Sequence, residues 1–174
     1  MMFGASNLQV QVMRTSETVQ HGDRDLREWV TGSDVSLAYV LLRITLGINI
    51  AMHGISRLIA GPGMFAAGLS KQFESTVLPH FAVVSFGYAL PWLETAIGLL
   101  ILLGAWTGVA LVAGALLLCV LTFGSTLHQD WNVAGVQLIY AAVYFVLIAL
   151  RRFNSISVNG LFAKRARSAG DGQR

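Results

Sequence analysis

Residues 81–104 read FAVVSFGYALPWLETAIGLLILLG, an apolar run with a single charged side chain, Glu94. At about 1.5 Å per residue, a helix of this length crosses the roughly 30 Å hydrocarbon core of a bilayer. Backbone amides in lipid must be satisfied within their own segment, so a continuous apolar run of this length is expected to be helical. The stretch therefore predicts a membrane-spanning helix that carries one carboxylate.

Three further stretches have the same apolar character. They are residues 35–55, 105–127 and 131–150. The hydrophobic fraction of the chain is 55%, the charged fraction is 12% and the mean hydropathy is +0.63, all far from the averages of soluble globular proteins. We therefore predict an all-α integral membrane four-helix bundle in residues 35–150, with polar tails at 1–34 and 151–174.

Basic residues predict the orientation of this bundle. The C-terminal tail is rich in arginine and lysine and has one acid, Asp171, a composition typical of a cytoplasmic flank. Because four spans return the chain to its starting side, both tails are expected in the cytoplasm (N-in, C-in). A membrane flank explains the basic cluster better than a nucleic-acid surface, so no nucleic-acid partner is expected.

The outer connection between the first two spans has a pattern of its own. The sequence GPG at 61–63 predicts a tight turn. Apolar side chains then recur at four-residue spacing with polar residues between them, at Phe65, Leu69, Phe73 and Val77. We predict a short amphipathic helix at the membrane interface. Three roles are open for this helix: a lid over the outer end of the bundle, a docking surface for a partner, or a plain connector.

Arg43 and Glu94 are the two fully charged residues inside the four stretches. Counting along the helices from the predicted span ends places them ~12 Å and ~14 Å from the same membrane face. A charge at the centre of a membrane helix costs about 2.5–3.5 kcal/mol, which a mutual ion pair reduces. We therefore predict an Arg43–Glu94 ion pair. It is either a structural clamp or the border of a polar cavity, in which case Glu94, Arg43 and His53 are candidate catalytic residues.

Other polar residues extend this pattern toward the outer surface. Asn49, His53 and Arg57 share one face of the first helix because they are four residues apart. The candidate ligand-binding residues are Asn49, Arg57, His128, Trp131, Gln137 and Tyr140. Tyrosine and tryptophan also anchor helices at membrane interfaces, which is the alternative interpretation of those residues.

Two kinds of site are not expected. No His-x-x-x-His or clustered thiolate spacing is present, so the sequence predicts no metal site. The single cysteine, Cys119, excludes a membrane thiol oxidase that works through a CxxC pair. Any redox chemistry must therefore use a bound cofactor or a partner subunit.

Several segments resemble the DoxX/DoxD family of membrane proteins. They are LLRITLG at 41–47, HGISRL at 53–58, PWLETAIG at 91–98, FGS at 123–125 and QLIY at 137–140. The resemblance runs from about residue 38 to residue 150. The motifs are specific as a set and weak singly, because helices rich in glycine and leucine resemble one another easily.

The resemblance implies a multi-pass protein of the bacterial or archaeal cytoplasmic (inner) membrane. The family takes its name from small subunits of a thiosulfate:quinone oxidoreductase, so quinone is the implied cofactor and other membrane or periplasmic subunits are implied partners. The characteristic polar positions would be Arg43, His53, Arg57, Glu94, Trp131, Gln137 and Tyr140. Two features depart from the family pattern: Gly108 stands where many relatives place a basic residue, and the N-terminal tail is long. Both weaken the inference that this chain acts on thiosulfate.

Two classes of function follow. The first is a quinone-linked redox subunit, which would be enzymatic either in itself or within a larger oxidoreductase. The second is a non-catalytic membrane subunit that anchors or stabilises a larger respiratory or photosynthetic complex. A GxxxG spacing of Gly104 and Gly108 favours the second class, because such spacing allows helices to approach closely.

Overall fold

The computed structural model describes residues 32–154, and within that range the chain forms five α-helices and no strand. The helices are α1 (Gly32–Ala60), α2 (Pro62–Gln72), α3 (His80–Leu103), α4 (Thr107–Leu127) and α5 (Trp131–Ala149), followed by a 3-10 turn at Arg151–Phe153. The chain divides into two compact units, Met1–Leu37 and Ala38–Arg174, and every contact given below lies in the second. Most of the predicted tails, 1–34 and 151–174, lies outside the described residues.

Four of these helices, α1, α3, α4 and α5, are long and apolar enough to cross a membrane. The prediction of an all-helical protein with four candidate spans is therefore confirmed. The first span differs from the prediction because α1 continues past residue 55 to Ala60. It ends where Gly61 adopts a φ of 103°, a conformation that side-chain-bearing residues rarely adopt, and Pro62 then begins α2.

Helix α3 lies directly against α1 because small residues meet at their interface. A Cβ atom on Gly98 would lie 2.3 Å from the backbone nitrogen of Ala51, and one on Gly54 would lie 2.5 Å from the backbone nitrogen of Thr95. Gly47, two turns before Gly54, makes an equally close approach. Such contacts between backbones require residues without bulky side chains, so they fix the register of α1 along α3.

The bundle has two distinct ends. We call the end that holds the α3–α4 turn and the last residues of α5 the terminal end, and the end that holds α2 and the α4–α5 turn the loop end. At the loop end, α2 packs along α3, because Ala66 is fully buried and a Cβ atom on Gly87 would lie 2.8 Å from the Ala66 Cα. The predicted short helix is therefore present, although it stops at Gln72 instead of extending to Val77. Its position at a membrane interface stays a prediction.

The apolar core occupies the terminal half of the bundle. Ile101, Leu111 and Leu147 are completely buried there, one from each of α3, α4 and α5. Tyr144 of α5 also points inward, and its hydroxyl occupies the space where a Cβ atom on Gly114 would lie. In the loop half, the buried side chains of Val83 and Leu90 line a cavity.

Replacing Gly98 with alanine tests the close packing of α1 on α3. The added methyl group overlaps the Ala51 backbone, so we expect the free energy of unfolding to fall by about 1–3 kcal/mol. Gly135 of α5 is the matched control, because a Cβ atom there meets nothing within 4 Å and alanine is the better helix former by roughly 1 kcal/mol. The melting temperature in detergent should fall for Gly98→Ala and should stay level or rise for Gly135→Ala. Equal melting temperatures for the two variants would contradict this packing.

Candidate ligand site at the loop end

Glu94 forms an ion pair with Arg57, through Arg57 Nη1 and Glu94 Oε2. Glu94 is only 5% exposed, whereas the Arg57 side chain is 28% exposed. The α1–α3 register explains the pair: Gly54 lies beside Thr95, and Arg57 follows Gly54 by almost one turn on the same face of α1. The arginine therefore compensates a carboxylate that is largely shielded from water.

The predicted Arg43–Glu94 ion pair is wrong. Arg43 is 3% exposed, and its Nε and Nη1 atoms have no hydrogen-bond partner among the described residues. Counting from the predicted span ends assumed that the two helices begin and end together. In the structure Gly47 lies beside Leu102, so Arg43, one turn earlier in α1, lies beyond the last residue of α3. Packing of small residues, rather than span length, decides which charge reaches Glu94.

A cavity of about 530 Å³ lies at the loop end, between α2, α3, the last turns of α4 and the first turns of α5. Its volume falls within the range of about 300–1,000 Å³ that small-molecule sites occupy. The walls are mainly apolar, and they include Leu69, Val83, Phe86, Leu90, Val120 and Leu121. The polar lining residues are Arg57, Gln72, Ser125, His128, Asp130 and Gln137.

Two aromatic side chains, one in α2 and one directly after it, lie at one side of this cavity. The Phe65 ring lies under the Arg57 guanidinium, 4.6 Å from the charge to the ring centroid. The Phe73 ring packs against His128 with 5.6 Å between ring centroids. Both polar groups are thus in contact with side chains from α2 and the residue that follows it.

The polar lining groups differ in how far their hydrogen-bonding capacity is used. Asp130 accepts a hydrogen bond from the Val133 N–H at 3.0 Å and caps α5, and the Ser125 hydroxyl donates to the Leu121 carbonyl at 3.1 Å. Gln137 Oε1 is buried and has no partner among the described residues. An amide carries both an acceptor and a donor group, so Gln137 can bind a carbonyl or a hydroxyl of a ligand.

The other predicted site residues lie away from the cavity. The structure brings Arg57, His128 and Gln137 to its lining and places Glu94 behind Arg57. The predicted residues that do not line it are Arg43, Asn49, His53, Trp131 and Tyr140. His53 and Trp131 are exposed on the outside of the bundle, and Tyr140 packs against the apolar core.

The aromatic lining was not among the predicted site residues. Phe65 and Phe73 carried a sequence signal, their four-residue spacing, which predicted the helix but not what it covers. Phe86 carried no signal, because an apolar residue of a span can face lipid or a cavity equally well. The contact of α2 with α3 determines that Phe86 faces the cavity and not lipid.

Within residues 32–154 there is no group of three or more His, Cys, Asp or Glu side chains that could hold a metal ion. Comparison with protein-family models, with curated proteins and with solved structures gives no match.

Proposed function

We propose that the loop-end cavity binds a membrane quinone and that the chain is a redox subunit of the DoxX/DoxD type. The observation that carries this proposal is an apolar cavity of about 530 Å³ between candidate membrane helices, with Arg57, His128 and Gln137 in its lining. A quinone combines an apolar ring and tail with two carbonyl oxygens. The apolar walls suit the ring, and the few polar groups suit the oxygens.

The polar groups suit the two-electron reduction of a quinone. The Arg57 N–H groups donate to one carbonyl oxygen, and the Gln137 amide donates to the other. Reduction adds two electrons and two protons to give the quinol, and the charge of Arg57 favours electron density on the oxygen that it contacts. His128 is the lining group suited to passing a proton, because imidazole is the commonest side chain in general acid–base catalysis.

The electrons come from outside the described residues in this proposal. Their source is an oxidisable sulfur anion of the thiosulfate class or a partner subunit that oxidises it. Lys71, exposed on α2, and Arg57 would attract such an anion to the loop end. We place this end on the outer side of a bacterial or archaeal inner membrane, with both termini in the cytoplasm and α2 at the interface.

Quinone content of the purified protein tests the proposal. We expect about one quinone per chain after mild detergent extraction. Retention should be about tenfold weaker in Gln137→Leu, because leucine has a similar volume but cannot make the proposed hydrogen bond to quinone. Asn132→Leu is the matched control, because Asn132 is exposed on the same helix and does not line the cavity. A quinone-free wild-type protein without thiosulfate-dependent quinone reduction would rule out the redox function.

The second candidate is a non-catalytic subunit that anchors or stabilises a larger respiratory or photosynthetic complex. The GxxxG spacing does not support this candidate, because Gly104 caps the end of α3 while Gly108 lies in the first turn of α4, so the two glycines do not share one helix. A different observation favours it: only 17% of the α5 span is buried, the lowest share of the four spans. Native mass spectrometry of gently solubilised membranes should then show a larger partner in fixed stoichiometry.

A further inference from the structure

Arg43 is a buried cation at the terminal end, and no carboxylate among residues 38–154 pairs with it. Its Nε and Nη1 atoms have no partner among the described residues, and the same is true of the buried hydroxyl of Tyr39, one turn earlier on the same face of α1. The three carboxylates within residues 38–154 lie elsewhere: Glu94 pairs with Arg57, and Glu74 and Asp130 are at the loop end. Buried charges are normally paired, so within residues 38–154 Arg43 lacks the anion expected beside it.

A second arginine lies at the same end. The Arg151 guanidinium covers the first turn of α4, with its Nη1 atom 3.4 Å from the position that a Cβ atom on Gly108 would take. Tyr39 lies within electrostatic range of both Arg43 and Arg151. The neighbouring Arg152 points elsewhere and stacks on Phe153, 4.8 Å from the ring centroid. The terminal end thus gathers two arginines and a tyrosine hydroxyl that suit an acceptor with negative charge.

An apolar groove begins at Arg151 and runs along α4. It has a volume of about 660 Å³, and Val109, Val112 and Leu116 line it at the three- and four-residue spacing of one helix face. Trp106 lies at its terminal end and is exposed. The groove is on the outside of a candidate membrane span, where a hydrocarbon chain can enter from the bilayer.

We propose that this end of the protein binds one anionic phospholipid. The phosphate accepts hydrogen bonds from Arg151 at the start of the groove, and its charge offsets the buried charge of Arg43 at the same end of the bundle. One acyl chain lies in the groove along Val109 and Leu116. Arginine suits this role because its planar guanidinium binds phosphate oxygens in pairs, and Trp106 suits the interface between headgroup and hydrocarbon. A soluble phosphate shares the headgroup chemistry but leaves the apolar groove unused.

Lipid retention in native mass spectrometry tests this site. The protein is reconstituted in nanodiscs of phosphatidylglycerol and phosphatidylcholine. The lipid that stays bound after the protein is released from the nanodisc is then identified. We expect one phosphatidylglycerol per chain and about tenfold less in Arg151→Gln, which removes charge-assisted hydrogen bonds to the phosphate. Arg43→Gln should reduce retention by a smaller factor, because it removes a buried charge but no hydrogen bond to the lipid. Val112→Trp, which fills the groove, should also release the lipid. Arg152→Gln is the matched control and should retain it.

Three outcomes would overturn the proposal. They are equal retention of the two lipids, equal retention by Arg151→Gln and Arg152→Gln, and undiminished retention by Val112→Trp. A separate arm adds inorganic phosphate to delipidated protein: stabilisation that depends on Arg151 and that phosphatidylglycerol does not compete away would assign the site to a soluble anion instead. If Arg43→Gln fails to fold, Arg151→Gln and Val112→Trp decide the question.

Discussion

Glu94→Gln is expected to destabilise the protein more than any other single conservative change. The substitution keeps the shape of the side chain but leaves Arg57 without a counter-ion in the bundle. Loss of one partner of a buried ion pair costs about 3–5 kcal/mol, and we expect the lower part of this range because the Arg57 side chain is 28% exposed. The free energy of unfolding in mixed detergent micelles measures the effect.

A double-mutant cycle identifies the true partner of Glu94. Arg57→Gln combined with Glu94→Gln should recover part of the loss, because neither charge is then left unpaired. Arg43→Gln combined with Glu94→Gln should give additive losses, because Arg43 lies beyond the end of α3. A larger coupling between Arg43 and Glu94 than between Arg57 and Glu94 would show that the α1–α3 register is wrong.

Ala82→Trp is expected to abolish quinone binding while the protein stays folded. Ala82 is half-buried on α3 and lines the cavity, so an indole ring at this position occupies the space proposed for the quinone ring. We expect affinity to fall about 100-fold or more, which corresponds to about 2.8 kcal/mol of lost binding energy. Quinone titration of delipidated protein measures the affinity, and gel filtration checks the fold.

Ala96→Trp is the matched control for this cavity-filling change. Ala96 lies on the same helix but is exposed on the outside of the bundle, where a tryptophan meets lipid. Its quinone affinity should equal that of the wild type. If Ala82→Trp and Ala96→Trp bind quinone equally well, the loop-end cavity is not the binding site.

The helices were predictable from sequence because each one depends on a local property. A long apolar run such as residues 81–104 has to form a helix in lipid, whatever its neighbours are. The turn at Gly61 and the amphipathic pattern that follows it are equally local, so α2 was predictable as an element. Its contact with Gly87 of α3 was not, because no pattern within α2 specifies its partner.

The ion pair was not predictable by counting because register is a property of two helices together. Small residues at Gly47, Gly54 and Gly98 allow the α1 and α3 backbones to touch, and this contact shifts α1 relative to the depth inferred from its apolar limits. Arg57 was assigned to the outer surface although it reaches Glu94. The sequence contained the determinants, the three glycines, but only their contact shows which turns meet.

Photolabelling with an azidoquinone tests the central claim most directly. The probe is illuminated with the purified wild-type protein, and labelled peptides are mapped by mass spectrometry. The loop-end site predicts labels on α2 and around Val120, Leu121 and Gln137, reduced by excess unlabelled quinone and by Ala82→Trp but not by Ala96→Trp. Labels confined to the terminal end, or labels that excess quinone does not reduce, would contradict a quinone site at the loop end.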